Sequence, residues 1–213
     1  MRRLMLTLSL VAALAPQAGA QQPAASVPDV PTPDTLGANF RHDSVGTSTP
    51  TDFDFLDGSW TIRFQSRKCT NQNGKPTCSP REFWPARAGT WSARRIHDGQ
   101  VIEDKFSLIN PNDGSRSFTL TYRVYNQARK TWEIAGVNAK QGSPWAPGVS
   151  WADARGDRYV VQTYGTGEGA LITRIRYYQV TPNHFLWRAD GSVDGGKTWI
   201  TDYWKIEADR DRN

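Results

Sequence analysis

Five charged side chains interrupt otherwise apolar, strand-like stretches: Arg123, Glu133, Arg174, Arg176 and Asp202. In an enclosed site an arginine guanidinium can anchor a carboxylate or phenolate through its fork of N–H donors. A carboxylate stripped of water holds a proton more readily and can serve as a base. Asp202 and Glu133 are therefore the candidate catalytic groups for a metal-independent lyase, isomerase or hydrolase. Arg174 and Arg176 share one face of a strand whose other face carries Leu171, Ile175 and Tyr177. A barrel has a polar exterior, so each of these charges has two readings: solvated outer surface, or ligand anchor in a cavity.

Aromatic side chains supply the other candidate ligand contacts. The chain has 9 tryptophans. Trp60, Trp187 and Trp204 sit on alternating strands and read first as core. Trp145 and Trp151 lie in the Pro/Gly-rich segment Pro144-Trp-Ala-Pro147-Gly-Val-Ser-Trp151 and are freer to meet a ligand. Together with Tyr122, Arg123, Arg174 and Arg176 they form the candidate binding set. Other chemistries lack their parts. His42, His97 and His184 have no second ligand at metal spacing, so no metal site is expected. No G-x-S-x-G nucleophile elbow occurs, and nothing in the sequence calls for a cofactor.

The elements that must position these groups are strands. Trp60-Thr-Ile62-Arg-Phe64, Phe118-Thr-Leu120-Thr-Tyr122-Arg-Val124, Trp132-Glu-Ile134, Tyr159-Val-Val161, Leu171 to Tyr177, Phe185-Leu-Trp187 and Trp199 to Trp204 are rich in β-branched and aromatic residues. Turn signals such as Asp98-Gly99, Asn112-Asp113-Gly114 and Pro182-Asn183 separate them. About nine or ten strands joined by short turns imply an all-β, antiparallel meander, closed as a barrel or packed as a sandwich.

Two hairpins can be read in more detail. Cys69 and Cys78 flank Asn73-Gly74, the preferred pair for a two-residue turn. Counting outward places Gln72 opposite Lys75, Asn71 opposite Pro76, Thr70 opposite Thr77 and Cys69 opposite Cys78. The cysteines then fall on a non-hydrogen-bonded pair with Cα atoms about 4.5 Å apart, within disulfide reach. Near the C-terminus, a turn centred on Gly195-Gly196 sets Trp187 opposite Trp204, Phe185 opposite Ile206 and Ala189 opposite Asp202. That register turns Phe185, Trp187, Trp204 and Ile206 inward and brings Asp202 to the interior or its rim.

The segment Phe53-Asp54-Phe55-Leu56-Asp57-Gly58-Ser59-Trp60 resembles the opening of a bacterial calycin-like family of unknown function, and its Gly-x-Trp core is similar to that of lipocalins and nitrobindin-like barrels. The resemblance extends over residues 53–207 but rests on the two ends. It implies that Trp60 closes one end of a barrel while Gly58 lets the chain bend beneath it. Nitrobindin-like relatives bind haem through an interior histidine; His184 is the only carrier here, and it falls on the outward face. The later Ser192, Asp194, Gly196, Thr198 and Trp199 also match the S-x-D-x-G-x-T-W Asp-box pattern, which implies a structural hairpin and no sialidase activity.

The N-terminus places the barrel outside the cell. Arg2-Arg3, an apolar run from Leu4 to Leu14 and Ala18-Gly19-Ala20 form the three parts of a secretory signal over residues 1–20. The run is too short to span ~30 Å of hydrocarbon, so no membrane span is expected. Residues 21–50 are a Pro/Ala-rich, flexible lead-in, and residues 51–208 the barrel. With Arg2 and Arg3 removed, the formal charge of +5 falls to +3, spread along the chain and offering no nucleic-acid footprint. The reading is a periplasmic or secreted barrel holding a small apolar or amphipathic molecule. The alternatives are the metal-independent enzyme and a glycan-binding β-domain with a row of exposed tryptophans.

Overall fold

The computed structural model describes residues 48–72, 75–139, 143–144, 148–152, 156–164 and 170–211. The signal-like segment and most of the lead-in lie outside them. A short 3-10 turn, Asp54–Leu56, precedes twelve strands: β1 Gly58–Gln72, β2 Lys75–Phe83, β3 Arg87–Ile96, β4 Val101–Ile109, β5 Arg116–Asn126, β6 Thr131–Asn138, β7 Ser143–Pro144, β8 Gly148–Ala152, β9 Arg158–Tyr164, β10 Leu171–Tyr178, β11 His184–Ser192 and β12 Ile200–Arg210. Among the described residues no helix is long and apolar enough to cross a membrane.

The strands form an antiparallel meander that closes on itself. Passing round the ring gives β1, β3, β4, β5, β6, β8, β9, β10, β11 and β12, with β12 pairing back onto β1. In the closing ladder Trp60 lies opposite Arg210 and Ser66 opposite Trp204, while the other edge of β1 sets Trp60 opposite Trp91. Closure leaves no exposed edge on the ring. Off the ring, the two-residue β7 pairs with β6, and β2 carries an edge on which Pro76 and Pro80 lack the N–H another chain would need.

The β1–β2 hairpin has the expected register. Cys69 is opposite Cys78, Thr70 opposite Thr77, Asn71 opposite Pro76 and Gln72 opposite Lys75. The two cysteines are joined by a disulfide, with Cα atoms 3.9 Å apart. Asn73 and Gly74 themselves lie outside the described residues.

One end of the barrel is plugged by the segment before β1. Phe53, Leu56 and Trp60 are fully buried, and the Trp60 indole N–H donates to the Leu56 carbonyl at 2.9 Å. The Phe53 ring meets Trp132 edge-on at 5.4 Å and Tyr177 at 5.7 Å. Arg210 lies over the Trp60 ring at 4.2 Å and donates to the carbonyls of Phe55 and Asp57. Gly58 makes this approach possible: its φ is +107°, and an added Cβ would lie 2.5 Å from the Arg210 guanidinium. Ser48 to Pro50, placed in the lead-in by composition, already pack on this end. The Tyr125 hydroxyl donates to the Ser48 carbonyl at 2.6 Å and the Trp132 indole to that of Thr49 at 3.0 Å. Strand β12 likewise runs past residue 208 to Arg210.

The C-terminal hairpin departs from the expected register by two residues. Trp187 is opposite Ile206, Phe185 opposite Ala208 and Ala189 opposite Trp204, with an irregularity between Ala189 and Gly191. A two-residue slip keeps the faces, so Phe185, Trp187, Trp204 and Ile206 still point inward. The slip arises at that irregularity: Gly191 opposite Ile200 keeps the expected register beside the loop, and two extra residues of β12 around Asp202 shift it from there on. The Asp-box residues build the loop itself. The Asp194 carboxylate accepts from the Thr198 hydroxyl at 2.6 Å, the Thr198 N–H at 2.9 Å and the Ser192 hydroxyl at 2.8 Å. These bonds hold its pKa far below the usual carboxylate range. The Trp199 indole donates to the Gly196 carbonyl at 2.9 Å, and Arg174 stacks on its ring at 3.9 Å.

Candidate functional site

Beyond the plug, the barrel encloses a cavity of about 580 Å³. Its two halves differ in chemistry. The arc β11–β12–β1–β3–β4 contributes Trp187, Trp204, Ile206, Phe64, Trp91, Phe106 and Leu108, whereas β5, β6 and β9 contribute Ser117, Thr119, Thr121, Asn138, Gln162 and Tyr164. Arg87, at the start of β3, lines the cavity as well.

The polar half comes from a strand that is inside out. On β5 the residues Thr121 and Arg123 are buried, while Phe118, Tyr122 and Val124 on the outer face are 51%, 40% and 43% exposed. Neighbouring β4 turns Ile102, Asp104, Phe106 and Leu108 inward. Because Asp104 is opposite Thr121, Arg123 lies one diagonal step away on the same face.

Asp104 and Arg123 form a buried ion pair at 2.9 Å, their side chains 1% and 4% exposed. The Trp91 indole N–H donates to Asp104 Oδ1 at 3.1 Å, and Arg123 Nη2 donates to the Tyr177 hydroxyl at 3.3 Å. Arg123 also lies over the Phe53 ring at 5.3 Å. Burial pushes the Asp104 carboxyl above its ordinary value, against the pull of Arg123, Trp91 and Thr121. Burial disfavours the Arg123 cation too, but Asp104, Tyr177 and Tyr164 together outweigh it and its pKa rises. The two opposite groups pair at 2.9 Å at the base of the cavity, and the Asp104 carboxyl is committed to structural partners.

Two polar atoms here have no partner among the described residues: Gln162 Nε2 and Arg123 Nε. Gln162 is 3% exposed and lines the cavity. Its Oε1 accepts from the Tyr164 hydroxyl at 3.4 Å, leaving the amide N–H donors unused.

Burial pushes the Tyr177 phenol up to about 12, opposed by Arg123, and raises Tyr164 as well. A phenol whose folded pKa exceeds its unfolded one stabilises the fold below the unfolded value and loses that contribution as pH rises through the folded one. Stability should therefore fall between pH 10 and about 12, by about 2–3 kcal/mol from Tyr177 alone. Tyr177→Phe should flatten this loss in urea unfolding curves taken across that range. Equal slopes in the two proteins would remove Tyr177 as the cause.

Of the residues singled out from sequence, Arg123, Trp187 and Trp204 line the cavity. Trp60 lies beneath it in the plug. Tyr122 faces outward, because it precedes Arg123 on a strand whose successive side chains alternate. On β10 the inward residues are Thr173, Ile175 and Tyr177, so Arg174 and Arg176 are on the exterior. Arg174 pairs with Asp190 at 3.1 Å, and Arg176 Nε donates to Asp157 at 2.7 Å.

Neither candidate base reaches the cavity. Glu133 is on the outer face of β6, accepting from Asn126 at 2.7 Å and facing Arg129 at 3.6 Å. Asp202 is redirected by a bulge: its φ is +51°, its N–H donates to Asp190 at 2.9 Å, and its carboxylate lies 3.9 Å from Arg188. The interior carboxylate is Asp104, which sequence reasoning missed. Its signal was the alternation Ile102-x-Asp104-x-Phe106-x-Leu108. Trp145 and the Trp151 side chain lie outside the described residues. The other described tryptophans do not form an exposed row: Trp91, Trp132 and Trp187 are buried, and Trp84 is 48% exposed.

The sequence matches no protein-family model. It matches none of the curated proteins either. Among solved structures, the fold is similar to that of the S-type phycobiliprotein lyase CPES from Guillardia theta. The TM-score is 0.50 at 12% sequence identity, over 76% of this chain and 91% of the other. That likeness is one of architecture, a calycin-like barrel.

Proposed function

We propose that this chain is an exported calycin-like barrel that binds a small amphipathic molecule in its interior. The observation that carries the reading is the cavity of about 580 Å³ inside a closed ring. Small-molecule sites fall at roughly 300–1,000 Å³, mostly apolar with a few placed polar groups, and this one pairs an aromatic wall with a hydroxyl and amide wall. Export rests on the signal-like residues 1–20 and on the Cys69–Cys78 disulfide, a bond that persists in oxidising compartments.

Native mass spectrometry of the protein purified from its own host's periplasm or medium, beside a denatured control, tests the reading. The expected result is a small-molecule adduct in the native spectrum alone, lost in a Thr119→Trp variant whose indole fills the cavity. An adduct that survives the filling would place the ligand elsewhere. Clean apo masses under conditions that preserve known weak complexes would count against a resident ligand.

A further inference from the structure

The cavity has an uneven distribution of unused hydrogen-bonding capacity, and this specifies what it can hold. Among the described residues the charges at its base, Asp104 and Arg123, pair with one another at 2.9 Å. A buried ligand charge would meet no counter-charge there, and burying a charge without one is costly. The deep part of a ligand is therefore uncharged. Two buried donors of the lining are unused, Arg123 Nε within the ion pair and the uncharged amide Nε2 of Gln162, and the second is the one a neutral acceptor fits. An unsatisfied buried donor gains most from an acceptor that arrives with the ligand.

Arg87 presents the opposite case. It lies where β3 begins, opposite Phe64, and lines the same cavity. Its Nε donates to the Ile109 carbonyl at 3.3 Å. Among the described residues no carboxylate lies within ion-pair distance of its guanidinium, whereas Arg94, Arg95, Arg123, Arg174 and Arg176 each have one. Arg87 is partly exposed, so its charge costs nothing to keep unpaired in water, yet both Nη groups remain available as a fork for an oxyanion.

Resting on the reading of the cavity as a binding site, we propose that its ligand class is an amphipathic carboxylate carrying a neutral oxygen acceptor on its buried body. The carboxylate sits at Arg87, the apolar length lies against Trp91, Trp187 and Trp204, and the neutral oxygen accepts from Gln162 Nε2. The separation of charge at one end from a neutral acceptor at the other distinguishes this class from plain hydrocarbons, amines and dianions.

Isothermal titration with three matched probes tests the assignment: dodecanoate, dodecanol and ω-hydroxydodecanoate, against wild type, Arg87→Met, Gln162→Leu and Gln162→Met. In wild type the hydroxy acid should bind tightest, by roughly fivefold to tenfold over dodecanoate, the gain of one neutral hydrogen bond. Arg87→Met should cut the acid-to-alcohol ratio by roughly threefold to tenfold, since a rim charge is partly screened. Both Gln162 variants should erase the advantage of the hydroxy acid over dodecanoate; using two apolar replacements guards against one that misfolds, and thermal melts identify that case. Binding of all three probes with ratios unmoved by these variants would overturn the ligand class while leaving a binding cavity. Failure of every probe would overturn the class as well, and the native mass spectrum of host-purified protein reads separately whether the cavity reading falls with it.

Discussion

Replacing Asp104 with alanine is expected to lower the free energy of unfolding by about 3–5 kcal/mol, the cost of leaving a buried arginine without its counter-ion. The loss has identifiable parts. Arg123, 4% exposed at its side chain, keeps its charge and loses the partner at 2.9 Å. The Trp91 indole loses its acceptor at 3.1 Å, so a second buried donor is stranded. Removing both charges together, as Asp104→Leu with Arg123→Met, should return most of the loss, because an apolar pair of similar volume carries no desolvation penalty. Urea unfolding followed by tryptophan emission measures both variants. A single-mutant cost under about 1 kcal/mol would mean that water already reaches the pair and solvates it.

The plug provides the second large effect. Phe53→Ala should cost about 3–5 kcal/mol, the range for deleting a buried aromatic ring. Phe53 is fully buried and makes edge contacts with Trp132 and Tyr177 under the Arg123 guanidinium. No strand neighbour can move in to fill the gap, since Phe53 comes from the segment before β1 and the ring behind it is hydrogen-bonded all round. Phe53→Leu keeps much of the volume and should cost under about 2 kcal/mol. Denaturant unfolding of the three proteins, with near-ultraviolet circular dichroism reporting on Trp132, checks the ranking. Equal stability of the alanine variant and wild type would show that the plug is dispensable.

What could be read in advance was whatever local chemistry determines. The β1–β2 register followed from Asn-Gly and two cysteines, and the Asp-box hairpin from Ser192, Asp194 and Thr198, because those groups bond within a few residues of one another. The antiparallel meander followed from period-two alternation and turn spacing, which left barrel and sandwich open; the barrel was implied by the resemblance at Phe53 to Trp60. The inward face of the C-terminal hairpin followed too, but that of β5 did not. Alternation gives two sets of side chains, and assigning the apolar set to the interior assumes a filled core. Around a cavity that assumption fails: β5 places Thr121 and Arg123 inside and Phe118, Tyr122 and Val124 outside. The same assumption hid Asp104, which alternates with apolar neighbours and would ordinarily be assigned to solvent. Asp202 escaped for another reason. A bulge is set by the bonding of Asp190 across the hairpin, a contact that spacing along one strand does not encode.

The ladder that joins β12 to β1 also governs how such a barrel can come into being. Thr61 donates to Asp211 across 150 residues of chain, and the Arg210 stack on Trp60 needs that same meeting of the two ends. The other junctions join strands much nearer along the chain, most of them as hairpins, with one strand intervening at β1–β3 and at β6–β8. The closing junction bears the entropy of bringing the two ends together, which places the chain among topologies of high contact order and slow folding. Until then β1 and β12 each present an unpaired edge. The interval before closure is when the chain is most exposed to pairing with its own copies, and it ends only when the last strand arrives.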